Sequence, residues 1–236
     1  MNQTVHLPSR KIQKTKTVKV ASAKAPATVP SRTNDPDRTM AGILEVATVE
    51  FAEKGLDGAR IDEIAAATKT SKRMIYYYFS SKEGLYRAVL EDMYGRMRAI
   101  ESGLHLADLP PEEALQRLVG FTFDHHHSNE NFIRLVMSEN MQRGAYIAQS
   151  KNIQDLNVPA ISAISELYER GVASGVFRAG LDPVDIHASI SALTFFNVSN
   201  RHTFGLIFKQ DATAPDTAAM RRSSVIDMVL RYVRAP

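Results

Sequence analysis

From Asp35 onward, apolar residues recur every three or four positions, and no stretch keeps the two-residue alternation of a half-buried strand. Asp35-Pro36 reads as an N-cap with proline at the first helical position. Ile43, Leu44, Ala47 and Phe51 follow at helical spacing, and Gly55 is the expected stop. A second, short helix is predicted over about residues 60–68, with Ile61, Ile64 and Ala65 inward, and a third over about 71–79. Ser80 to Glu83 fits a capping box that opens a long helix over 81–102, striped by Leu85, Val89, Met93, Met97 and Ile100. Further helices are expected from Pro111 to the histidine run, from Ser128 or Asn129, and over about 153–174 with Gly175 at the end. Asp182-Pro183 repeats the cap-plus-proline signal, ahead of Ile186, Ile190, Leu193, Asn197, Asn200 and Phe204 on a single helix; a last helix follows Pro215. The fold class is therefore all-α. Three short helices in 36–79 precede five or six longer ones, which divides the chain into an arm (1–34), a small N-terminal module (35–80) and a larger bundle (81–236).

Composition narrows the setting. The 236 residues are 44% hydrophobic and 23% charged, ordinary for a soluble globular protein. Without cysteine there are no disulfides and no thiolate metal sites, which fits a reducing cytoplasm. No apolar run approaches the roughly 18 residues of a membrane span, and the N-terminus lacks a secretory h-region. The net charge of +3 conceals an asymmetry: residues 1–34 carry seven basic side chains and no acid, and the remainder carries 22 basic against 26 acidic, or −4. The arm, rich in Ala, Thr, Ser, Val and Pro, is expected to be disordered. It either tracks phosphate backbones or simply solubilises the chain.

The stretch KTSKRMIYYYFSSK at 69–82 joins the small module to the bundle. Only Lys69 and Thr70 separate the second and third helices, too few for antiparallel packing, so the pair must cross steeply as in a helix-turn-helix. The third helix then presents Ser71, Lys72, Arg73, Met74 and Tyr76 near its positive N-terminal end, while Ile75 and Phe79 turn inward. Three adjacent tyrosines would by themselves suit aromatic packing with exposed tips. Beside these cations, a phenol can also touch a thymine methyl or a phosphate.

Residues 55–90 resemble the DNA-binding signature of TetR-type transcriptional regulators: Gly-x-x-x-Thr, a hydrophobic residue, x-x-Ile-Ala, a short turn, Ser-x-x-x-Leu-Tyr-x-x-Phe and x-x-Lys-x-x-Leu. Gly55, Ile61, Ile64, Ala65, Ser71, Ile75, Tyr76, Phe79, Lys82 and Leu85 stand in register with it. The resemblance implies that Lys72, Arg73, Met74 and Tyr76, with Ser71, face the major groove. It also implies that Arg60, Tyr77, Tyr78 and Lys82 lie along the backbone, where Lys69 would add a phosphate-facing charge. Two positions depart from the pattern. Ala59 replaces the usual Thr, removing a helix cap of roughly 1 kcal/mol. Lys69 replaces the usual Gly in a left-handed position, at a cost on the order of 1 kcal/mol.

The same resemblance implies a homodimer formed through the last two long helices, reading a palindromic operator in double-stranded DNA. It implies a repressor released by a small effector, aromatic or anionic, with the 81–102 helix as lever. No cofactor, catalytic residue or membrane association is expected. The dimer stripes would be Ile186 to Phe204 on one helix, and Val225, Met228, Val229 and Tyr232 on the other; such stripes also serve as intramolecular core. In the bundle, Met93, Met97, Phe121 and Phe132 would hold the apolar body of an effector. His125, Asn140, Arg143 and Asn197 would hold its polar end, although the stretch equally suits a helix C-terminus with Arg143 and Gly144 as capping residues. His125 is expected to face inward, and His126 and His127 outward.

An alternative reading is an all-α metal-dependent enzyme using His125–His127. Consecutive helical histidines point about 100° apart and would need partners such as His187, His202 or Glu139 to enclose an ion. No phosphate loop, nucleophile elbow or His-Glu-x-x-His is present. A third reading is a nonspecific DNA-binding architectural protein driven by the arm.

Overall fold

Asp35 does cap the first helix, accepting a hydrogen bond from the Arg38 amide at 3.2 Å. In the computed structural model, which describes Met1 and residues 35–211 and 213–236, ten α-helices follow one another. The arm of 1–34, expected to be disordered, lies outside the described residues but for Met1. The helices are α1 (Pro36–Gly58), α2 (Ile61–Ala67), α3 (Lys72–Phe79), α4 (Lys82–Ser102), α5 (Pro111–Ser128), α6 (Glu130–Met141), α7 (Lys151–Ala173), α8 (Pro183–Ser199), α9 (Arg201–Phe208) and α10 (Pro215–Val233). Among the described residues the extended backbone amounts to one isolated bridge, between Phe177 and Arg234. The fold is all-α, as the periodicity predicts.

Several local details differ from the sequence reading. The first helix is long rather than short; its regular part runs to Gly55, whose φ of 67° breaks it before a last turn to Gly58. The cap missing at Ala59 is supplied from elsewhere: the Glu50 carboxylate, nearly buried, accepts the Arg60 amide at 3.0 Å and holds Lys54 beside it. That satisfies one free amide at the start of α2. The expected capping box from Ser80 to Glu83 is replaced by a simple cap one residue later. Ser80, at φ 66°, ends α3 by donating its amide to the Tyr76 carbonyl. Ser81 is the N-cap of α4, and its hydroxyl accepts from the Gly84 amide at 2.9 Å.

On α4 the stripe Leu85, Val89, Met93 and Met97 is buried as predicted, but Ile100 is 55% exposed and Glu101 takes its place inside. The buried row continues in steps of four from Leu85 through Met97, and the next step is Glu101 rather than Ile100. The single penultimate helix is in fact two: α8 stops at Ser199, and Asn200 (φ −107°, ψ 2°) separates it from α9. Phe204 consequently leaves the stripe.

Two apolar cores result. In the first, α1–α4 bury Ile43, Phe51, Ile64, Ile75, Leu85 and Tyr86 together with Phe132, Ile133 and Leu135 of α6. The second joins Leu115, Leu118, Ile164, Ile186, Ile190 and Val225 from α5, α7, α8 and α10. Ile186, Ile190, Val225 and Val229 therefore pack inside the chain, a correction to their placement on dimer stripes. The outer faces of α8 and α10 carry Val184, Phe196, Met220 and Met228 instead.

The α3–α4 junction has no room to spare. A Cβ at Gly84 would overlap the Phe79 carbonyl oxygen, which is backbone and cannot swing away. Gly84→Ala is therefore expected to destabilise the fold by about 2–3 kcal/mol, as overpacking against a fixed group does. Urea unfolding measures it; a loss below about 0.5 kcal/mol, the range of ordinary surface changes, would show that the junction relaxes freely.

Candidate DNA interface and ligand cavity

The turn between α2 and α3 is built by backbone hydrogen bonds from the Lys69 amide to Ala66 and the Thr70 amide to Ala65. Lys69 sits at φ 52°, the left-handed conformation its position in the sequence demands. Ser71 caps α3 through a hydrogen bond from the Met74 amide at 3.2 Å. With Ile75 buried as the pivot, α3 turns Ser71, Lys72, Arg73, Tyr76 and Tyr77 to the outside. Tyr76 is 44% exposed and Tyr77 77%. Met74 and Tyr78 are half-buried, and Tyr78 lies between the rings of Tyr77 and Phe79, at 5.4 and 6.2 Å. The phenols thus differ in environment despite their adjacency.

The cations on this face are not equivalent. Lys72 is held by Asp62 of α2 at 2.6 Å, and that hydrogen bond keeps the Asp62 carboxyl below the usual range. The Lys82 ammonium donates to the Asp57 carbonyl at 3.1 Å, bracing α4 against the end of α1. Arg60, Lys69 and Arg73 are exposed and have no carboxylate partner among the described residues. Nine of the ten residues predicted for the interface lie in the α2–α3 turn, on α3 or at the first residue of α4, and Arg60 is the residue just before α2.

The eight predicted ligand residues are dispersed. Met93, His125 and Phe132 line one cavity of about 440 Å³ between α1, α4 and the α5–α6 junction. Phe121 adjoins it through His125, at 5.7 Å between rings, and Met97 is sealed in the first core. Asn197 lines a second cavity of about 440 Å³ among α5, α8, α9 and α10. Asn140 and Arg143 join neither. They are exposed at the end of α6, where Asn140 donates to the Val136 carbonyl and Arg143 adopts φ 59°. They terminate the helix, the alternative that their position also allowed.

Among the histidines, His126 is the buried one, whereas His125 and His127 are half-buried. The inward face of α5 runs Leu115, Leu118, Val119, Thr122, Phe123 and His126, so counting from Phe121 selects the flank rather than the centre. The Nδ1 of His126 lies 3.0 Å from the Thr194 hydroxyl, and its ring stacks on Phe132. Burial, helped by the charges of His125, His187 and Arg98, pushes His126 down to about 4; burial also lowers His125 and His187. Glu139, a possible metal partner in the enzymatic reading, is occupied: it accepts the Tyr146 and Ile147 amides at 3.2 and 3.0 Å. Among the described residues no three metal-ligating side chains converge. No helix described is long and apolar enough to cross a membrane.

Two family models match the chain. Bacterial regulatory proteins of the tetR family match residues 43–89, and the tetracyclin repressor-like C-terminal domain matches residues 111–229. The chain is similar to the HTH-type transcriptional repressor NicS of Pseudomonas putida, with 34% identity over 203 residues, covering 86% of this chain and 96% of that one. It is also similar to the HTH-type transcriptional repressor SCO4008 of Streptomyces coelicolor, at 32% over 146 residues, 61% of this chain and 72% of the relative. Among solved structures, the putative regulator SCO4942 from Streptomyces coelicolor superposes with a TM-score of 0.62 at 26% identity, over 84% of this chain and 99% of its own. The ketosteroid regulator KstR2 of Mycobacterium tuberculosis shares the fold, with a TM-score of 0.63 at 21% identity over 88% of this chain and 100% of its own.

The environment of His126 has a measurable consequence. A base whose folded pKa is depressed stabilises the fold while neutral, so its contribution is full above the unfolded value of 6.5 and is lost as pH falls towards 4. A difference of this size corresponds to on the order of 3 kcal/mol. Urea midpoints taken between pH 7.5 and 4.5 are expected to fall steeply in the unaltered protein and less steeply in His126→Asn. Equal slopes would place the acid sensitivity on other groups, His125 and His187 first.

Proposed function

The chain belongs to the TetR family of bacterial regulatory proteins, and on that premise we propose that it is a homodimeric repressor that binds a palindromic operator and leaves it on binding a small effector. The exposed face of α3 carries this reading. A capped helix buried on Ile75 alone, with two cations, two phenols and a hydroxyl turned outward, has the form of a major-groove probe. The names of NicS and SCO4008, both transcriptional repressors, support repression over activation.

In this reading Lys72, Arg73, Met74 and Tyr76 meet base edges. Arg60, Lys69, Tyr77 and Lys82 meet phosphates, as does the Ser71 end of α3; Tyr78 steadies the aromatic row from inside. The division at residue 80 is functional, separating the reading head of 35–80 from the bundle of 81–236. Pairing of two chains uses the outer faces of α8 and α10, where Val184, Phe196, Met220 and Met228 are exposed apolar side chains with no role in either core. A twofold axis then sets two α3 helices at a fixed spacing, which is what a palindrome reports. An effector that prefers a different spacing shifts the population off DNA, α4 being the shared element.

Two experiments test this. Footprinting on the promoter fragment upstream of the protein's own gene is expected to protect a palindrome, and Tyr76→Ala is expected to weaken the site at least tenfold while leaving the fold intact. No protected palindrome, or unchanged affinity in Tyr76→Ala, would overturn the assignment. Lys69→Gly separates strain from contact. Relief of the left-handed residue should raise stability by up to about 1 kcal/mol. Loss of one phosphate contact should reduce the salt slope of binding by about 1. A slope that does not change would remove Lys69 from the interface.

A further inference from the structure

The cavity among α5, α8, α9 and α10 combines features that the cavity under α1 lacks. Phe123, Phe196 and Phe204 are among its lining residues, so a flat apolar body can pack on their rings. Its volume of about 440 Å³ falls within the range of small-molecule sites. Arg221 projects from α10 into this apolar surround. Its Nε donates to the Asn197 side-chain oxygen at 2.9 Å, and Asn197 is anchored in turn on the Leu193 carbonyl of its own helix. One edge of the guanidinium is thereby fixed, while the two terminal nitrogens have no acceptor among the described residues.

The neighbouring arginines show what Arg221 is missing. Arg222 is neutralised by Asp124 at 2.8 Å, and Arg201, on the same cavity, is neutralised by Glu130. Arg221 has no carboxylate partner, and the residues outside the description include no acid that might supply one. A planar guanidinium held by one edge, with its other donors facing an aromatic cavity, matches a carboxylate geometrically as well as by charge. The cavity under α1 has the opposite character: Glu45, Asp92 and Glu130 line it, and its Arg96 is already paired with Asp92 at 2.7 Å. An anion would be repelled there.

We propose that the Arg221–Asn197 cavity binds a small organic monoanion with a flat, ring-containing body, its carboxylate on the terminal nitrogens of Arg221 and its ring against Phe123, Phe196 and Phe204. The site shares Phe196 and Met220 with the outer faces of α8 and α10 on which pairing of two chains is proposed, so its occupancy bears directly on how those helices meet. Its role as the effector site rests on the ligand-responsive reading above; the binding site itself does not.

The probe pair is naphthalene-2-carboxylate and its neutral amide, naphthalene-2-carboxamide, titrated by calorimetry into the full-length protein. The expected result is saturable binding of one acid per chain, at least tenfold tighter than the amide. Arg221→Gln, checked for native helicity and melting, is expected to bring the acid down to the affinity of the amide. Equal affinity for acid and amide in the unaltered protein would overturn the proposal, and that comparison requires no variant to fold. No saturable binding of the acid, or undiminished binding in Arg221→Gln, would overturn it as well. Operator occupancy read in the same samples separates the two ideas: acid bound at Arg221 without loss of operator binding keeps the site and removes its role as effector site.

Discussion

Tyr86 holds the molecule together at the point where its two halves meet. It is fully buried on α4, its ring edge-on to Phe51 of α1 at 5.1 Å and to Tyr146, in the turn after α6, at 5.2 Å. Burial and the nearby Glu139 carboxylate push its phenol up to about 12, so it is a neutral spacer at any physiological pH. Glu139 secures the far end of this row by accepting two successive amides of the turn that carries Tyr146. Arg134 of α6 adds a hydrogen bond to the Ala52 carbonyl of α1 at 2.8 Å. The first helix is thus wedged onto α4 and α6 together, and α3 packs on α4 beside it.

Between the two cores lies a polar layer. His126 reaches from α5 to Thr194 of α8 and stacks on Phe132, a member of the first core. On its α4 side, Arg98 bonds Asn157 of α7 at 3.0 Å and pairs with Glu101, whose carboxyl is raised by burial and lowered in turn by Arg98. Buried polar groups must find partners or lose about 1–3 kcal/mol each. Two apolar surfaces could slide past one another over many registers. This layer is satisfied in a small number of them, and so fixes the register of the seam.

Helix positions were legible in the sequence because caps and periodicity are local: Asp35-Pro36, Ser71, Asp182-Pro183 and Gly175 all act within a turn of their own position. The left-handed Lys69 was legible only through the resemblance, which has glycine at that position. What escaped was decided by contacts distant in sequence. Glu50 caps α2 from ten residues upstream, and its role has no signature in the segment it serves. Ser80 and Ser81 compete for one cap, and the choice follows from Ser80 being claimed by α3. The face of α5 was misjudged because Phe121 looks like core yet lies beside it, and Asn140 and Arg143 were equally good as ligands or as a helix end. Arg221 carries no local signal at all. It becomes distinctive only when Asp124 and Glu130 are seen to neutralise its neighbours and not Arg221 itself.

The electrostatics of the reading head set a last constraint on the proposed mechanism. Residues beyond the arm carry 22 basic and 26 acidic side chains, so the globule as a whole repels a polyanion. On the α2–α3 face, Lys72 is committed to Asp62 and Lys54 to Glu63, which leaves Arg60, Lys69 and Arg73 as the cations without carboxylate partners. Exposed ion pairs are worth little and break easily, but breaking the Lys72 pair leaves the Asp62 carboxylate at the interface, where a phosphate would be opposed and a base amine welcomed. The head thus has few charges with which to bind any DNA and a richer set of directional contacts with which to bind one sequence. The seven cations of residues 1–34, with no acid among them, turn the balance of the whole chain to +3.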